Sequence, residues 1–143
     1  VDERRVGRGH FVDFPVINQR YTGQPHRFGY CVFYDRGKSN AARSGSPLVG
    51  GIEKYTFGDG GEVSTEERVL PGNLAGQEVA YVPRPGSVVE DDGWLVMFAH
   101  DLDAGKSEFH IIDAQNIAGP PVARLAIPQR VPFGFHGCWV PGQ

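Results

Sequence analysis

The segment at residues 130–141 carries the strongest chemical signal in the amino-acid sequence. It reads Arg-Val-Pro-Phe-Gly-Phe-His-Gly-Cys-Trp-Val-Pro and places His136 between Phe135 and Gly137. We expect a histidine in such an apolar run to be buried, and a buried imidazole needs a hydrogen-bond partner or a metal ion. Spacing alone does not decide between them, because most such histidines are hydrogen-bonded core residues.

Other residues with chemical potential show weaker patterns. The run Glu90-Asp91-Asp92 lacks the alternating oxygen ligands of a calcium loop and predicts an exposed turn. Cys31 and Cys138 form no Cys-x-x-Cys pair, and we expect two reduced thiols. No Gly-x-Ser-x-Gly elbow, phosphate loop or His-Glu-x-x-His motif occurs, so a serine hydrolase, a nucleotide enzyme and a zinc protease lack support. The remaining histidines are expected to be structural: His10, His26, His100 and His110.

The elements that must position these residues are short β-rich runs bounded by turn residues. This pattern predicts an all-β chain. Hairpin turns are expected at residues 58–61 and 101–106, and one short helical turn near residues 113–117. Strands are predicted at residues 28–34, 51–57, 78–82, 93–100, 107–113 and 121–127.

Strands in this meander order favour a sandwich, a barrel or a propeller. A propeller blade takes roughly 40–50 residues, so a chain of this length would hold about three blades. That number is too small to close a ring. The sequence also starts without a methionine, and we interpret residues 1–143 as one segment of a longer protein.

Composition restricts the classes of partner. Hydrophobic residues make up 40% of the chain and charged residues 22%, which is typical of a folded globular protein rather than a disordered one. The net charge is -3 with both signs intermixed, which gives no support to nucleic-acid binding. The apolar runs are far shorter than the roughly 20 residues that span a bilayer. We therefore expect a cytoplasmic protein without a transmembrane segment, and peripheral membrane contact stays open.

Four ordered stretches resemble the carotenoid cleavage oxygenase family, which includes the retinal pigment epithelial membrane protein and lignostilbene-cleaving relatives. The resemblance covers nearly the whole chain and is weaker over residues 36–75. The stretches read DFPVINQRYTGQPHRFGY, GQEVAYVPRPGSVVEDDGWLVMFAHD, SEFHIIDAQNI followed by PVARLAIP, and RVPFGFHGCWVP.

The resemblance implies that this chain forms C-terminal blades of a seven-bladed β-propeller. In that family four histidines from different blades bind one Fe(II), and carboxylates hydrogen-bond to some of the imidazoles. By resemblance, His136 is the last ligand, pointing inward along the propeller axis with one nitrogen free for the metal. Glu78 and Asp13 match the positions of supporting carboxylates. Asp13 is one methylene shorter than the usual glutamate, so its reach to an imidazole requires a bridging water or a backbone shift.

The reaction that the resemblance implies is cleavage of a carbon–carbon double bond by O2. The substrate would be a carotenoid, an apocarotenoid or a stilbene, and substrate, cleavage position and fate of both oxygen atoms stay open. An isomerohydrolase of retinyl esters and a non-catalytic propeller fragment are the alternatives. The other iron ligands are expected in missing N-terminal blades, so the isolated chain should be inactive. Three aromatic residues are candidates for lining an apolar substrate tunnel, with core packing as the alternative: Phe133, Phe135 and Trp139.

Overall fold

The predicted all-β class is confirmed by the computed structural model, which describes residues 5–41 and 45–142. One α-helix, α1 (Arg36–Ala41), and one 3-10 turn at Gln19–Tyr21 interrupt the strands. The strands are β1 (Val12–Val16), β2 (Phe28–Asp35), β3 (Leu48–Phe57), β4 (Val63–Val69), β5 (Leu74–Gly76), β6 (Ala80–Pro83), β7 (Gly93–Asp101), β8 (Lys106–Asp113) and β9 (Ala123–Ile127).

Eight of these strands form two antiparallel meanders of four strands each. In the first meander β1, β2, β3 and β4 pair in chain order, and in the second β6, β7, β8 and β9 do the same. Four-stranded antiparallel sheets are the blades of a propeller. The length-based estimate of about three blades includes residues 128–142, which the structure shows without a strand.

The short strand β5 joins the two meanders. Gly76 pairs with Val49 of β3 on one side, and Ala75 pairs with His100 of β7 on the other. The two meanders approach closely here, because a Cβ added to Gly76 would overlap the methyl group of Met97. Glycine at this position allows the side chain of Met97 to lie against the backbone of β5.

The hydrophobic core lies between the two meanders. It combines residues of β2 and β3, such as Val32 and Ile52, with residues of β7 and β8, such as Leu95 and Ile112. All four of these side chains are fully buried. Burial of this apolar surface is the main favourable contribution to folding and fixes the two meanders against each other.

A buried ion pair crosses the same interface. Lys54 Nζ of β3 donates to Asp91 Oδ2 at 2.9 Å and to the carbonyl oxygen of Ala114 at 2.9 Å. Gln115 Nε2 donates to the other carboxylate oxygen of Asp91 at 3.1 Å. Desolvated charges of this kind are tolerated only with such a complete set of partners.

The prediction that residues 90–92 form an exposed turn is therefore wrong for the central residue, Asp91, which is buried. Asp91 is only 8% exposed because it pairs with Lys54. Glu90 Oε1 accepts from the backbone N–H groups of Arg27 and Phe28, and Asp92 pairs with Arg84. Each of the three carboxylates thus has a separate structural partner.

Several boundaries differ from the sequence-based expectations. The helical turn predicted at residues 113–117 is a non-helical turn in which Asp113 Oδ1 accepts from the N–H of Gln115 at 2.8 Å. Such side-chain caps compete with helix formation. Strands β1 and β5 and helix α1 were not predicted.

Cys31 is half-buried and Cys138 exposed, and both are free thiols. None of the helical segments in residues 5–41 and 45–142 is long and apolar enough to span a membrane.

Breaking the ion pair between the meanders tests its contribution to stability. We expect Asp91→Ala to lower the free energy of unfolding by about 3–5 kcal/mol, because it leaves the buried ammonium of Lys54 without its anion. The matched control is Asp92→Ala, which removes a neighbouring carboxylate from an exposed pair and should leave the urea midpoint nearly unchanged. Equal shifts in the urea unfolding midpoints of the two variants would contradict this assignment.

Candidate functional site

The C-terminal segment at residues 130–140, which carries His136, contains no strand and depends on side chains for its position. Gln77 Nε2 donates to the carbonyl oxygen of Pro132 at 2.8 Å. The N–H of Val131 donates to Ser107 Oγ at 2.8 Å. These contacts attach the start of the segment to β8 and to the residue that follows β5.

His100 links these two anchors and is 2% exposed. Its Nε2 lies 2.8 Å from Gln77 Nε2, and its Nδ1 lies 3.0 Å from Ser107 Oγ. Because the carbonyl of Pro132 can only accept, the Gln77 atom beside it is the amide nitrogen, which also donates to the imidazole. His100 Nε2 is therefore an acceptor, and the neutral tautomer carries its proton on Nδ1. Both nitrogens are occupied, in agreement with the expected structural role.

Burial lowers the pKa of His100 below its ordinary value, and the nearby charge of Arg130 acts in the same direction. The ring of Phe133 packs on this imidazole with 4.4 Å between ring centroids. Phe133 therefore also helps to hold the start of the C-terminal segment against His100. It borders a cavity of about 1030 Å³ together with Lys38 and Arg130. The role of His100 was missed from the sequence, where it appears only as the residue before an aspartate.

His136 lies beside Glu78 at the other end of the segment. Nδ1 of the imidazole is 3.4 Å from Glu78 Oε2. The side chain of Glu78 is 16% exposed, and its Oε1 is buried without a hydrogen-bond partner in the described part of the chain. Burial raises the pKa of Glu78, and the contact with His136 partly offsets that rise. The structure therefore brings together two residues that the sequence resemblance singled out.

The expectation that His136 is buried is wrong for this chain. Its side chain is 81% exposed, and Nε2 makes no hydrogen bond within the described residues. The apolar neighbours in sequence do not enclose the ring, because the segment here forms no strand and lies on the surface of the second meander. With Nδ1 directed at a carboxylate, Nε2 is the nitrogen with a free lone pair.

A shallow cleft of about 240 Å³ surrounds this pair. Phe135 and Trp139 of the C-terminal segment border the cleft on one side, and Phe98 of β7 and Phe109 of β8 border it on the other. The tunnel prediction for the aromatic residues thus divides between two places: Phe135 and Trp139 lie beside His136, whereas Phe133 faces His100. Phe135 is 78% exposed, and Trp139 and Phe133 are each 42% exposed.

Asp13 makes no hydrogen bond to His136 within the described residues, and its support of a ligand imidazole stays a prediction. Its Oδ1 accepts from the N–H of the next residue, Phe14, at 2.8 Å. Tyr34 lies near the same carboxylate, and the pKa of Tyr34 is raised by burial and by the charge of Asp13. The ring of Phe14, in contrast, meets the imidazole of His136 edge to face with 5.3 Å between centroids. Phe14 was missed from the sequence, where it reads as an ordinary strand residue.

The other histidines have structural partners. His10 lies 3.0 Å from Glu67 and stacks on Phe33, and His110 is 1% exposed with Nε2 at 2.8 Å from Glu108. No group of three His, Cys, Asp or Glu side chains that could hold a metal ion occurs within residues 5–41 and 45–142.

Comparison with known proteins agrees with the sequence resemblance. The chain matches the family model described as retinal pigment epithelial membrane protein over residues 2–141. It is 38% identical over 141 residues to carotenoid 9,10(9',10')-cleavage dioxygenase 1 of Phaseolus vulgaris, covering 90% of this chain. It is 35% identical over 127 residues to apocarotenoid-15,15'-oxygenase of Synechocystis, covering 89% of this chain. The chain spans 24% of the length of each of these two relatives.

Solved structures show the same relationship. The cobalt-substituted apocarotenoid oxygenase of Synechocystis superposes with a TM-score of 0.78 and 30% sequence identity. The alignment covers 93% of this chain and 26% of the cobalt-substituted protein. The propeller prediction for the fold is confirmed by this likeness, and the two meanders are blades of that architecture.

The lowered pKa of His100 makes the free energy of unfolding of the chain depend on pH. Because the pKa of His100 is lower in the folded chain than its ordinary value of 6.5, the unfolded chain binds more protons as the pH falls below that value. We expect the free energy of unfolding to decrease as the pH is lowered through and below 6.5. His100→Gln should reduce this slope, and the remainder should come from His110, whose pKa burial also lowers.

A second variant separates His100 from other acid-sensitive groups. Gln77→Glu places a carboxylate beside His100 Nε2 and favours the imidazolium. An NMR titration should show His100 taking up its proton at higher pH in this variant than in the unmodified chain. An unchanged or lower titration midpoint would contradict the contact between the side chain of residue 77 and His100 Nε2.

Proposed function

The chain belongs to the retinal pigment epithelial membrane protein family, that of the carotenoid cleavage oxygenases, and on this premise we propose its function. We propose that the full protein uses Fe(II) and O2 to split a carbon–carbon double bond of a conjugated apolar substrate into two carbonyl products. A carotenoid, an apocarotenoid or a stilbene fits this description. The names of the relatives from Phaseolus vulgaris and Synechocystis support cleavage of a carotenoid-type chain.

The observation that carries the proposal is the pairing of His136 with Glu78. A carboxylate at Nδ1 holds the imidazole in one orientation and selects the tautomer whose Nε2 is free to bind a metal. This arrangement of metal, histidine and carboxylate is common in proteins, and the carboxylate also raises the basicity of the ligand. The exposed Nε2 is thus the atom of this chain that would bind iron.

The donor atoms fit an Fe(II) ion only in part. Imidazole is a suitable ligand for iron, and a set of neutral imidazoles leaves the metal dipositive. When bound, the iron would supply the redox chemistry with O2, which no side chain of this protein can perform alone. His136 would hold the metal, Glu78 would hold His136, and the buried Oε1 of Glu78 keeps capacity for one more donor.

The cleft beside His136 fits an apolar substrate. Phe135, Trp139, Phe98 and Phe109 present aromatic surface next to the free Nε2. Aromatic and apolar side chains bind a conjugated hydrocarbon and exclude water from the reacting bond. We propose that this surface forms one wall of the substrate site, with the opposite wall supplied by the rest of the protein.

The length of the relatives supports a site completed from elsewhere. This chain spans about a quarter of them, and no group of three His, Cys, Asp or Glu side chains that could hold a metal ion occurs among its described residues. We propose that the remaining ligands lie on residues outside this chain, and that these residues also cover the exposed imidazole. A cytoplasmic location and transient contact with a membrane that supplies the substrate belong to the same proposal.

The alternative reactions have less support. Both named relatives are described as dioxygenase or oxygenase, and no feature of the described residues favours hydrolysis of a retinyl ester over cleavage of a double bond. A scaffold without a metal would have no need for a carboxylate that holds an exposed imidazole. Oxygen uptake with a carotenoid or stilbene, compared with ester hydrolysis without oxygen, separates the two enzymatic alternatives.

The ligand role of His136 can be tested in the full-length protein. We expect His136→Ala to abolish iron incorporation and product formation, because it removes a ligand. Glu78→Gln should lower iron affinity or activity by about 10- to 100-fold, because the imidazole loses its anionic partner. The control is His26→Ala, which changes an exposed histidine distant in sequence from the site and should retain full iron content. Full iron content in the His136→Ala protein, measured by metal analysis, would refute the ligand role.

The isolated chain provides the complementary test. One imidazole does not form a stable iron site, so we expect the 143-residue chain to bind Fe(II) weakly and to form no cleavage product. The measurement is oxygen uptake together with aldehyde formation from a stilbene or an apocarotenoid in the presence of Fe(II). Turnover by this chain alone would show that the proposed division of ligands is incorrect.

A further inference from the structure

Phe14 has a backbone conformation that an aromatic residue rarely adopts. Its φ is +52°, and it is the only non-glycine residue with positive φ among those that the structure describes. Bulky side chains in this region are genuine outliers, since the side chain crowds the backbone. Such conformations persist only where the surroundings impose them, and they concentrate at functional sites.

Three contacts impose this conformation on Phe14. The pairing of β1 with β2 shifts by one residue between Asp13 and Val16, which places Phe14 in a β-bulge. The N–H of Phe14 donates to Asp13 Oδ1 at 2.8 Å. The half-buried ring packs against the core between the two meanders. The bulge redirects the side chain, the carboxylate satisfies the N–H that the bulge leaves unpaired, and the core holds the ring.

The ring held in this way meets the imidazole of His136 at an interplanar angle of 81°. His136 is otherwise exposed, and its hydrogen bond to Glu78 is long, at 3.4 Å. One long hydrogen bond leaves the imidazole plane free to rotate about the line that joins the two atoms. An edge-to-face contact from a fixed aromatic ring restricts that rotation.

We propose that Phe14 is a positioning residue for His136, and that Asp13 acts by holding Phe14 in its strained conformation. Phe14 packs against the core and contacts His136, so it fixes an imidazole on an otherwise exposed segment relative to the core. The support of a ligand imidazole by Asp13 stays a prediction, and its contact with the backbone N–H of Phe14 is a separate interaction. The shorter aspartate suits this contact, because its carboxylate lies close to the next N–H along the chain. The inference rests on the proposed function, since the orientation of His136 matters for metal binding.

NMR spectroscopy of the metal-free 143-residue chain tests the contact directly. We expect cross-peaks between the ring protons of Phe14 and His136. In Phe14→Leu these should be lost and the His136 ring resonances should move to those of an unrestrained histidine, while the amide resonances of β7 and β8 stay in place. Phe14→Tyr should restore the restrained His136 resonances, because it keeps the ring.

The aspartate is tested by a matched pair of variants. Asp13→Ala should remove the exchange protection of the Phe14 amide and weaken the ring cross-peaks, whereas Asp13→Asn keeps an acceptor oxygen and should retain both. Unchanged His136 resonances in Phe14→Leu, or absent ring cross-peaks in the folded unmodified chain, would overturn the proposal. If Phe14→Leu fails to fold, the test rests on whether the unmodified chain shows cross-peaks between the rings of Phe14 and His136. Because no metal is added, a full-length protein that lacks iron would refute the proposed function and leave this contact intact.

Discussion

The amide group of Gln77 determines where the candidate ligand can lie. The C-terminal segment forms no strand, so it has no ladder of backbone hydrogen bonds to set its position. Gln77 donates both to the carbonyl of Pro132 and to the imidazole of His100, and His100 in turn contacts the serine that binds Val131. This arrangement requires a neutral His100, and the burial of the ring favours that form. The segment is therefore held at its start, and His136 follows a few residues later.

The candidate site is assembled across the interface between the two blades. Phe14 belongs to the first meander, Glu78 lies between β5 and β6 at the second, and His136 comes from the segment that follows both. Their relative positions depend on the shared apolar core and on the buried pair of Lys54 and Asp91. Because packed interiors resist small displacements, a rigid interface transmits its geometry to side chains at its edge. Here it brings a carboxylate and an aromatic ring to one imidazole.

The exposure of His136 is consistent with a site that needs further protein to be complete. A ligand imidazole is normally enclosed together with its metal, which controls solvent access and the properties of the bound ion. In this chain one ring nitrogen faces a carboxylate and the other is open, and aromatic side chains lie exposed around it. Large exposed aromatic surface of this kind indicates a surface that another part of a protein or a ligand covers.

The sequence by itself was enough to predict the all-β class, the hairpin turns at residues 58–61 and 101–106, the family, and His136 and Glu78 as residues of interest. Local patterns carry this information, since alternation and turn residues act over a few positions and family motifs are linear. Three features were decided only by the tertiary structure: the burial of Asp91 against Lys54, the anchoring role of His100, and the contact of Phe14 with His136. Each joins residues that are distant in sequence, and none has a local pattern, because long-range contacts arise only when the two meanders pack together. The exposure of His136 belongs with them, since burial depends on what covers a residue and not on its neighbours in the chain.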